Sequence, residues 1–282
     1  MNKEKSGFCR KISWAISPWV EEVQISPDPS LSIGALATNN KPGIYCIKHW
    51  ADCFMNGVII DIDDTLIDTA RRMHELWGLL LDREVPREAV ETMNLEQIFM
   101  KFATKKQMSR VKEFQKRYWD LLLCLDEAGV ESLKLHEPMP YAADVLQGWS
   151  KKSRLIYLTG RTENMRSLTL HELKRFGFPI ANTKLVMFQP EDYARAKGED
   201  PSGPTLVDVK SKLCTEICKN SEVVRIIDDY PGYFAIFQQL EIPDRIGFLR
   251  PTRYQAQQYL DRGATRVVES WEELQDNESR AT

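Results

Sequence analysis

No stretch of this chain approaches the roughly 18 consecutive apolar residues that a membrane-spanning helix requires, so no membrane partner is expected. The amino end, Met1-Asn2-Lys3-Glu4-Lys5, is charged, but the following Cys9-Arg10-Lys11-Ile12-Ser13-Trp14 has no sustained apolar core, which argues against a signal peptide. Cysteines lack a regular framework. Cys9, Cys46, Cys53, Cys124, Cys214 and Cys218 are read as reduced thiols, in keeping with a cytoplasmic protein. There is no basic excess either: the net charge of -3 gives no global attraction for nucleic acid. What is present is enough chain, 282 residues with 43% hydrophobic content, for a full α/β core and a small second domain.

In Val58-Ile59-Ile60-Asp61-Ile62-Asp63-Asp64-Thr65-Leu66 an apolar β-branched run ends in three acids within four residues. In an open parallel sheet, ligands bind outside the carboxyl ends of the strands, and residues two apart on a strand point the same way. Asp61 and Asp63 therefore face one crevice. Two such charges about 4 Å apart repel by roughly 4 kcal/mol at an effective dielectric near 20, so they stay ionised only beside a cation, or with one of them protonated.

This segment resembles the first motif of the haloacid dehalogenase superfamily of phosphohydrolases, Asp-x-Asp-x-Thr, through Asp61, Asp63 and Thr65. Three further motifs follow in order. Leu155-Ile156-Tyr157-Leu158-Thr159-Gly160-Arg161 matches the second through Thr159, and Val209-Lys210-Ser211-Lys212-Leu213 offers the third-motif lysine. Val223-Val224-Arg225-Ile226-Ile227-Asp228-Asp229 supplies the paired acids of the fourth. The resemblance covers residues 55 to 69 and about 137 to 270. It implies a Rossmann-like α/β parallel-sheet core, at 55–69 and 137–282, with an α-helical cap inserted over 70–136. Residues 1–54 are expected to form a partly ordered extension. There Cys46, His49 and Cys53 are irregularly spaced and lack an evident fourth ligand, which argues against a metal site.

By the resemblance, Asp61 is the nucleophile that forms an aspartyl-phosphate, and Asp63 protonates the leaving oxygen and then deprotonates the attacking water. Asp63 also speaks against carbon–halogen cleavage, which needs no acid at that position. Thr159 and Lys210 are expected to bind the non-reacting phosphoryl oxygens, with Lys212 as the rival lysine. Magnesium is the implied cofactor, held by the Asp61 side chain, the Asp63 backbone carbonyl and an acid of the fourth motif. Register favours Asp229 for that ligand, with Asp228 orienting Lys210 or a metal-bound water. Thr65, Gly160 and Arg161 are candidate substrate contacts; Arg161 either meets a second anionic group or hydrogen-bonds the chain at a helix start. Asp64 departs from the family by replacing the usual glycine, and no cap lysine for Schiff-base phosphonate chemistry is identifiable.

The cap reads as three helices: about 70–83, with Met73, Leu76, Trp77 and Leu80 on one face, a second from Pro86 to about Phe102, and a third opened by Thr104-Lys105-Lys106-Gln107. The third is expected to turn Val111, Phe114, Tyr118, Leu121, Leu122 and Leu125 inward, and Lys105, Lys106, Arg110, Lys112, Lys116 and Arg117 outward as one basic arc opposed only by Glu113. After Glu137-Pro138-Met139-Pro140, strands and helices alternate, and 189–204 reads as a loop. The expected activity is hydrolysis of a small phosphorylated metabolite. A nucleotide or nucleic-acid 3′ end is the alternative substrate, should the basic arc line the entrance, and a catalytically silent binding protein on the same fold is a further alternative.

Overall fold

The computed structural model describes residues 56–194, 205–250 and 252–275. The expected extension over 1–54, with Cys46, His49 and Cys53, lies outside the described residues.

Strand β1 (Gly57–Ile60) is buried along its whole length. Its period-two alternation sends Val58 and Ile60 into one hydrophobic cluster and Ile59 into another, so both faces of the strand are covered. The first cluster includes Ala142, Leu146 and Trp149 of helix Ala142–Trp149; the second includes Cys214 and Ile217 of helix Leu206–Asn220. β1 pairs in parallel with β4 (Arg154–Thr162) on one side and β6 (Val223–Asp228) on the other. With β5 (Lys184–Phe188), β7 (Asp244–Phe248) and β8 (Arg266–Val268) the sheet order is β5-β4-β1-β6-β7-β8, parallel throughout. The chain grows outward from β1 through β4 and β5, then returns to the opposite side for β6. That reversal leaves a crevice beyond the carboxyl ends of β1, β4 and β6, the place where doubly wound sheets bind ligands.

Between β1 and β4 the chain leaves and re-enters the core through a short antiparallel ribbon, β2 (Ile67–Asp68) with β3 (Glu137–Pro138), pairing Ile67 with Pro138 and Asp68 with Glu137. The excursion between them is helical, as expected, and encloses its own core of Leu76, Trp77, Leu80, Leu81, Ile98, Phe99, Tyr118 and Leu121. Its helices are more numerous and shorter than the three expected. Helix α1 is Ala70–Leu81, but the second expected helix divides into α2 (Arg87–Thr92) and α3 (Leu95–Phe102). Asn94 starts α3 with a reciprocal Asn94–Gln97 capping box, and that competes with helix continuation. The Thr104–Gln107 capping box is present too, yet it opens only the single turn α4 (Lys105–Met108), ahead of a separate α5 (Val111–Leu122); α6 (Glu127–Glu131) follows. Val111 and Leu125, expected inside, are exposed.

The basic arc is opposed by more acids than Glu113 alone. Arg110 pairs with Glu113, Lys116 with Asp120 and Arg117 with Asp126, which leaves Lys105, Lys106 and Lys112 as exposed charges. Within the segment read as a loop, Pro190–Ala194 forms a short helix.

Candidate active site

The end of β1 delivers Asp61 to the crevice, and Lys210, from helix Leu206–Asn220, meets it there. Lys210 is 3% exposed, and its Nζ lies 2.6 Å from Asp61 Oδ1 and 2.6 Å from Asp228 Oδ2. Lys212, the rival lysine, is exposed. Burial alone would lower the Lys210 pKa, but Asp228 and Asp61 outweigh it and hold it well above the ordinary lysine range. Asp61 is pushed up to about 7, chiefly by burial and against the pull of Lys210, with Asp228 adding to the rise.

Thr65 donates its hydroxyl to Asp61 Oδ2 at 3.3 Å and is fully buried, and its carbonyl accepts a hydrogen bond from Trp271 Nε1 at 2.8 Å. Thr65 thus holds the Asp61 carboxylate in place. Thr159 is buried at the end of β4, where its hydroxyl oxygen accepts the Arg161 N–H at 3.2 Å and keeps its own proton to donate.

Arg161 joins two acidic side chains at the cavity wall. It is 4% exposed and clamps Asp63 with two nitrogens, Nη2 to Oδ1 at 2.7 Å and Nε to Oδ2 at 3.0 Å, while Nη1 donates to Glu172 Oε2 at 2.6 Å. Glu172 in turn meets His136 Nδ1 at 2.8 Å. Burial raises the Asp63 carboxyl, but the charge and hydrogen bonds of Arg161 outweigh it and hold the group at about 2. The arginine clamp thus favours the ionised form of Asp63.

A third group lies at the foot of β6. Asp229 faces the crevice, half-buried, and its carboxylate has no hydrogen bond or ion pair with any described residue. Burial, then the neighbouring Asp64, Asp61 and Asp228, push it well above the ordinary carboxylate range, Arg250 only partly offsetting them. Tyr259 fixes its backbone by donating to the Asp229 carbonyl at 2.5 Å. An unpartnered carboxylate among like charges fits a site for a divalent cation. Among the described residues no three acidic, cysteine or histidine side chains form a ligand cage. Magnesium does not require one, because it keeps several waters and binds through one or two carboxylates plus substrate phosphate. Asp228, committed to Lys210 and to the Tyr230 N–H, has less to offer a metal than Asp229.

Asp64, the departure from glycine, has φ +63°, in the left-handed region that favours glycine. Its short side chain compensates by accepting from the Thr69 N–H at 3.2 Å and pairing with Arg250 Nη1 at 2.5 Å. Asp64→Ala and Asp64→Gly both lose these contacts, but only alanine retains the left-handed strain. Asp64→Ala is therefore expected to be less stable than Asp64→Gly by about 1 kcal/mol in urea unfolding, and equal stabilities would contradict this.

The crevice is a cavity of about 260 Å³, bordered by Asp61, Asp63, Asp229, Lys210, Gly160 and Arg161. Residues that motif reading did not single out also line it: Arg72 from α1, Leu122 and Leu123 at the end of α5, and Tyr193, Tyr230 and Tyr233. None of the six basic residues of the expected arc does. Tyr193 packs on Trp119 of α5, ring centroids 5.8 Å apart, so the helical excursion reaches the cavity wall.

No family model matches the chain, and no curated protein is significantly similar to it in sequence. Solved structures are similar in fold. A haloacid dehalogenase-like family hydrolase from Streptococcus pneumoniae superposes with a TM-score of 0.52 at 16% identity, over 78% of this chain and 96% of that one. A predicted phosphatase from Clostridium acetobutylicum gives 0.52, 16%, 78% and 96%. A predicted phosphoglycolate phosphatase from Haemophilus somnus gives 0.51, 13%, 77% and 95%. The chain has the haloacid dehalogenase-like fold. Within that fold the four motif segments converge as expected, at the carboxyl ends of β1, β4 and β6 and on the helix that carries Lys210. The helical excursion occupies the place of the expected cap, between the first and second motifs.

Proposed function

We propose that the chain is a magnesium-dependent phosphatase that hydrolyses a small phosphomonoester through an aspartyl-phosphate. The observation that carries this is the buried Lys210 ammonium bridging Asp61 and Asp228 at 2.6 Å each, beside the ionised Asp63, at the switch point of the sheet. Asp61 attacks phosphorus, so that an acyl-phosphate bond forms as the ester P–O bond breaks. Lys210 then serves the non-reacting phosphoryl oxygens, and the Thr159 hydroxyl, with its proton still available, supports it. Asp63 as it stands is the base needed in the second half, taking a proton from the water that displaces Asp61. For the first half it must gain a proton, which the approach of a phosphate dianion favours by repelling its negative charge. Magnesium would be held by the side chains of Asp61 and Asp229 and the backbone carbonyl of Asp63, and when bound supplies positive charge to the phosphoryl oxygens.

A cavity of about 260 Å³ suits a small ester, and the absence of the basic arc from its walls gives no support to a polymer substrate. The test is hydrolysis of p-nitrophenyl phosphate and a panel of phosphorylated metabolites, with magnesium and with a chelator. Activity is expected to require magnesium, Lys210→Ala to lower kcat/KM at least about a hundredfold, and Lys212→Ala to stay within about twofold of wild type. Undiminished activity in the chelator, or dependence on Lys212 instead of Lys210, would contradict the assignment.

A further inference from the structure

Arg72 is 3% exposed, lines the same cavity, and makes no ion pair with a described carboxylate. A buried guanidinium without a counter-charge is costly, so its surroundings indicate what it is for. The head is fixed by neutral groups. Nε donates to Ser132 Oγ at 2.9 Å, and Nη2 to the carbonyls of Leu121 and Leu122 at 3.2 and 2.9 Å and to the Cys124 thiol at 3.5 Å. Those carbonyls belong to the last turn of α5, the negative end of its dipole. Nη1 makes no hydrogen bond to any described residue, and it is not among the buried atoms left without a partner. Asp63 and Glu172 are close enough for the charge of Arg72 to act on them electrostatically, but their oxygens are taken by Arg161 and, for Glu172 Oε1, by His136. The result is a rigid guanidinium with one open edge at the cavity wall.

Its place in the fold says which part of a substrate it would meet. Arg72 belongs to the helical excursion, its head held by Ser132 and the end of α5, whereas the proposed phosphoryl-binding groups Lys210 and Thr159 belong to the core. In the shared cavity it therefore meets the part of a substrate that the core groups do not hold, the leaving group. We infer that Arg72 binds a second negative charge on the substrate, a carboxylate or a further phosphate carried on the leaving group. Arginine is suited to either, because its planar fork matches both anions with two parallel hydrogen bonds. The substrate class is thus a small phosphomonoester with an anionic tail short enough to share the cavity with the ester.

This assignment rests on the phosphatase activity proposed above, and the two are tested together with three esters of one leaving-group length: propyl phosphate, the same ester ending in a carboxylate, and the same ester ending in a second phosphate. The full chain with magnesium is expected to show a kcat/KM at least about tenfold higher for one of the anionic esters than for propyl phosphate, as a charge-assisted hydrogen bond provides. Whichever is preferred identifies the tail. In Arg72→Gln the ratio is expected to fall towards one, and in Arg72→Lys to an intermediate value. Each ratio is taken within a single protein, so a general loss of activity cancels. If Arg72→Gln does not fold, the wild-type ratio and Arg72→Lys decide. Equal hydrolysis of all three esters by the wild type, or a preference that survives at full size in both variants, overturns the role of Arg72 and leaves the phosphatase standing. Hydrolysis of none of the three, under conditions where p-nitrophenyl phosphate is also inert, overturns both.

Discussion

Asp61→Asn is expected to lower turnover of every phosphomonoester substrate by at least about 10,000-fold, because an amide oxygen cannot form the acyl-phosphate on which both displacements depend. The fold should survive. Asn is nearly isosteric with Asp, and the substitution removes one of several like charges at the crevice, while Lys210 keeps its partner Asp228 at 2.6 Å. Circular dichroism melts alongside kcat measurements check both halves of the expectation. Retention of more than a few per cent of wild-type activity would mean that the nucleophile is water or another residue.

Arg161→Met is expected to give the largest loss of stability of any single change at the site, about 3 kcal/mol by urea unfolding. Arg161 joins Asp63 and Glu172, and Glu172 is itself only 4% exposed along its side chain. Methionine fills much of the volume but strands the buried Glu172 carboxylate and unpairs the partly exposed Asp63, and stranding a buried charge costs more than forming the pair contributed. His136 and Arg175 still reach Glu172, at 2.8 and 3.6 Å, and keep the loss from being larger. Arg161→Lys retains the charge but cannot engage both acids in the same geometry, so it should fall between the two. A loss below about 1 kcal/mol for Arg161→Met would put the clamp in the class of exposed surface pairs.

The core of this site was legible in residue types because a buried strand has few reasons to end in acids. Val58, Ile59 and Ile60 face opposite clusters on the two sides of the sheet, which is why the run is continuously apolar rather than alternating. That Lys210 is buried and Lys212 exposed was also within reach of periodicity. Lys210, Cys214 and Ile217 follow the i, i+4, i+7 spacing of one helix face, and all three are buried. The breaks in the helical excursion carried a signal as well, since Asn94 and Gln97 have the spacing of a helix start, but apolar residues at helical intervals on both sides masked it.

Other features had no local signature. Arg161 meets Asp63 across 98 positions of chain and Glu172 across 11, pairings that depend on where β4 and the next helix settle. Arg72 reads from the sequence as an ordinary polar residue near a helix start, and only its burial beside Ser132 and the end of α5 marks it. Tyr193 fell within a segment rich in proline, glycine and charge, where a short helix packed against Trp119 was not foreseen.

The covalent intermediate is the central claim, and trapping it at Asp61 tests it most directly. The enzyme, magnesium and a substrate would be acid-quenched during turnover, treated with borohydride to reduce any acyl-phosphate to an alcohol, digested, and analysed by mass spectrometry. The account predicts homoserine at position 61, dependent on substrate and absent from Asp61→Asn. Steady turnover with Asp61 unmodified under conditions that trap an acyl-phosphate standard, or with modification at another carboxylate, would contradict it.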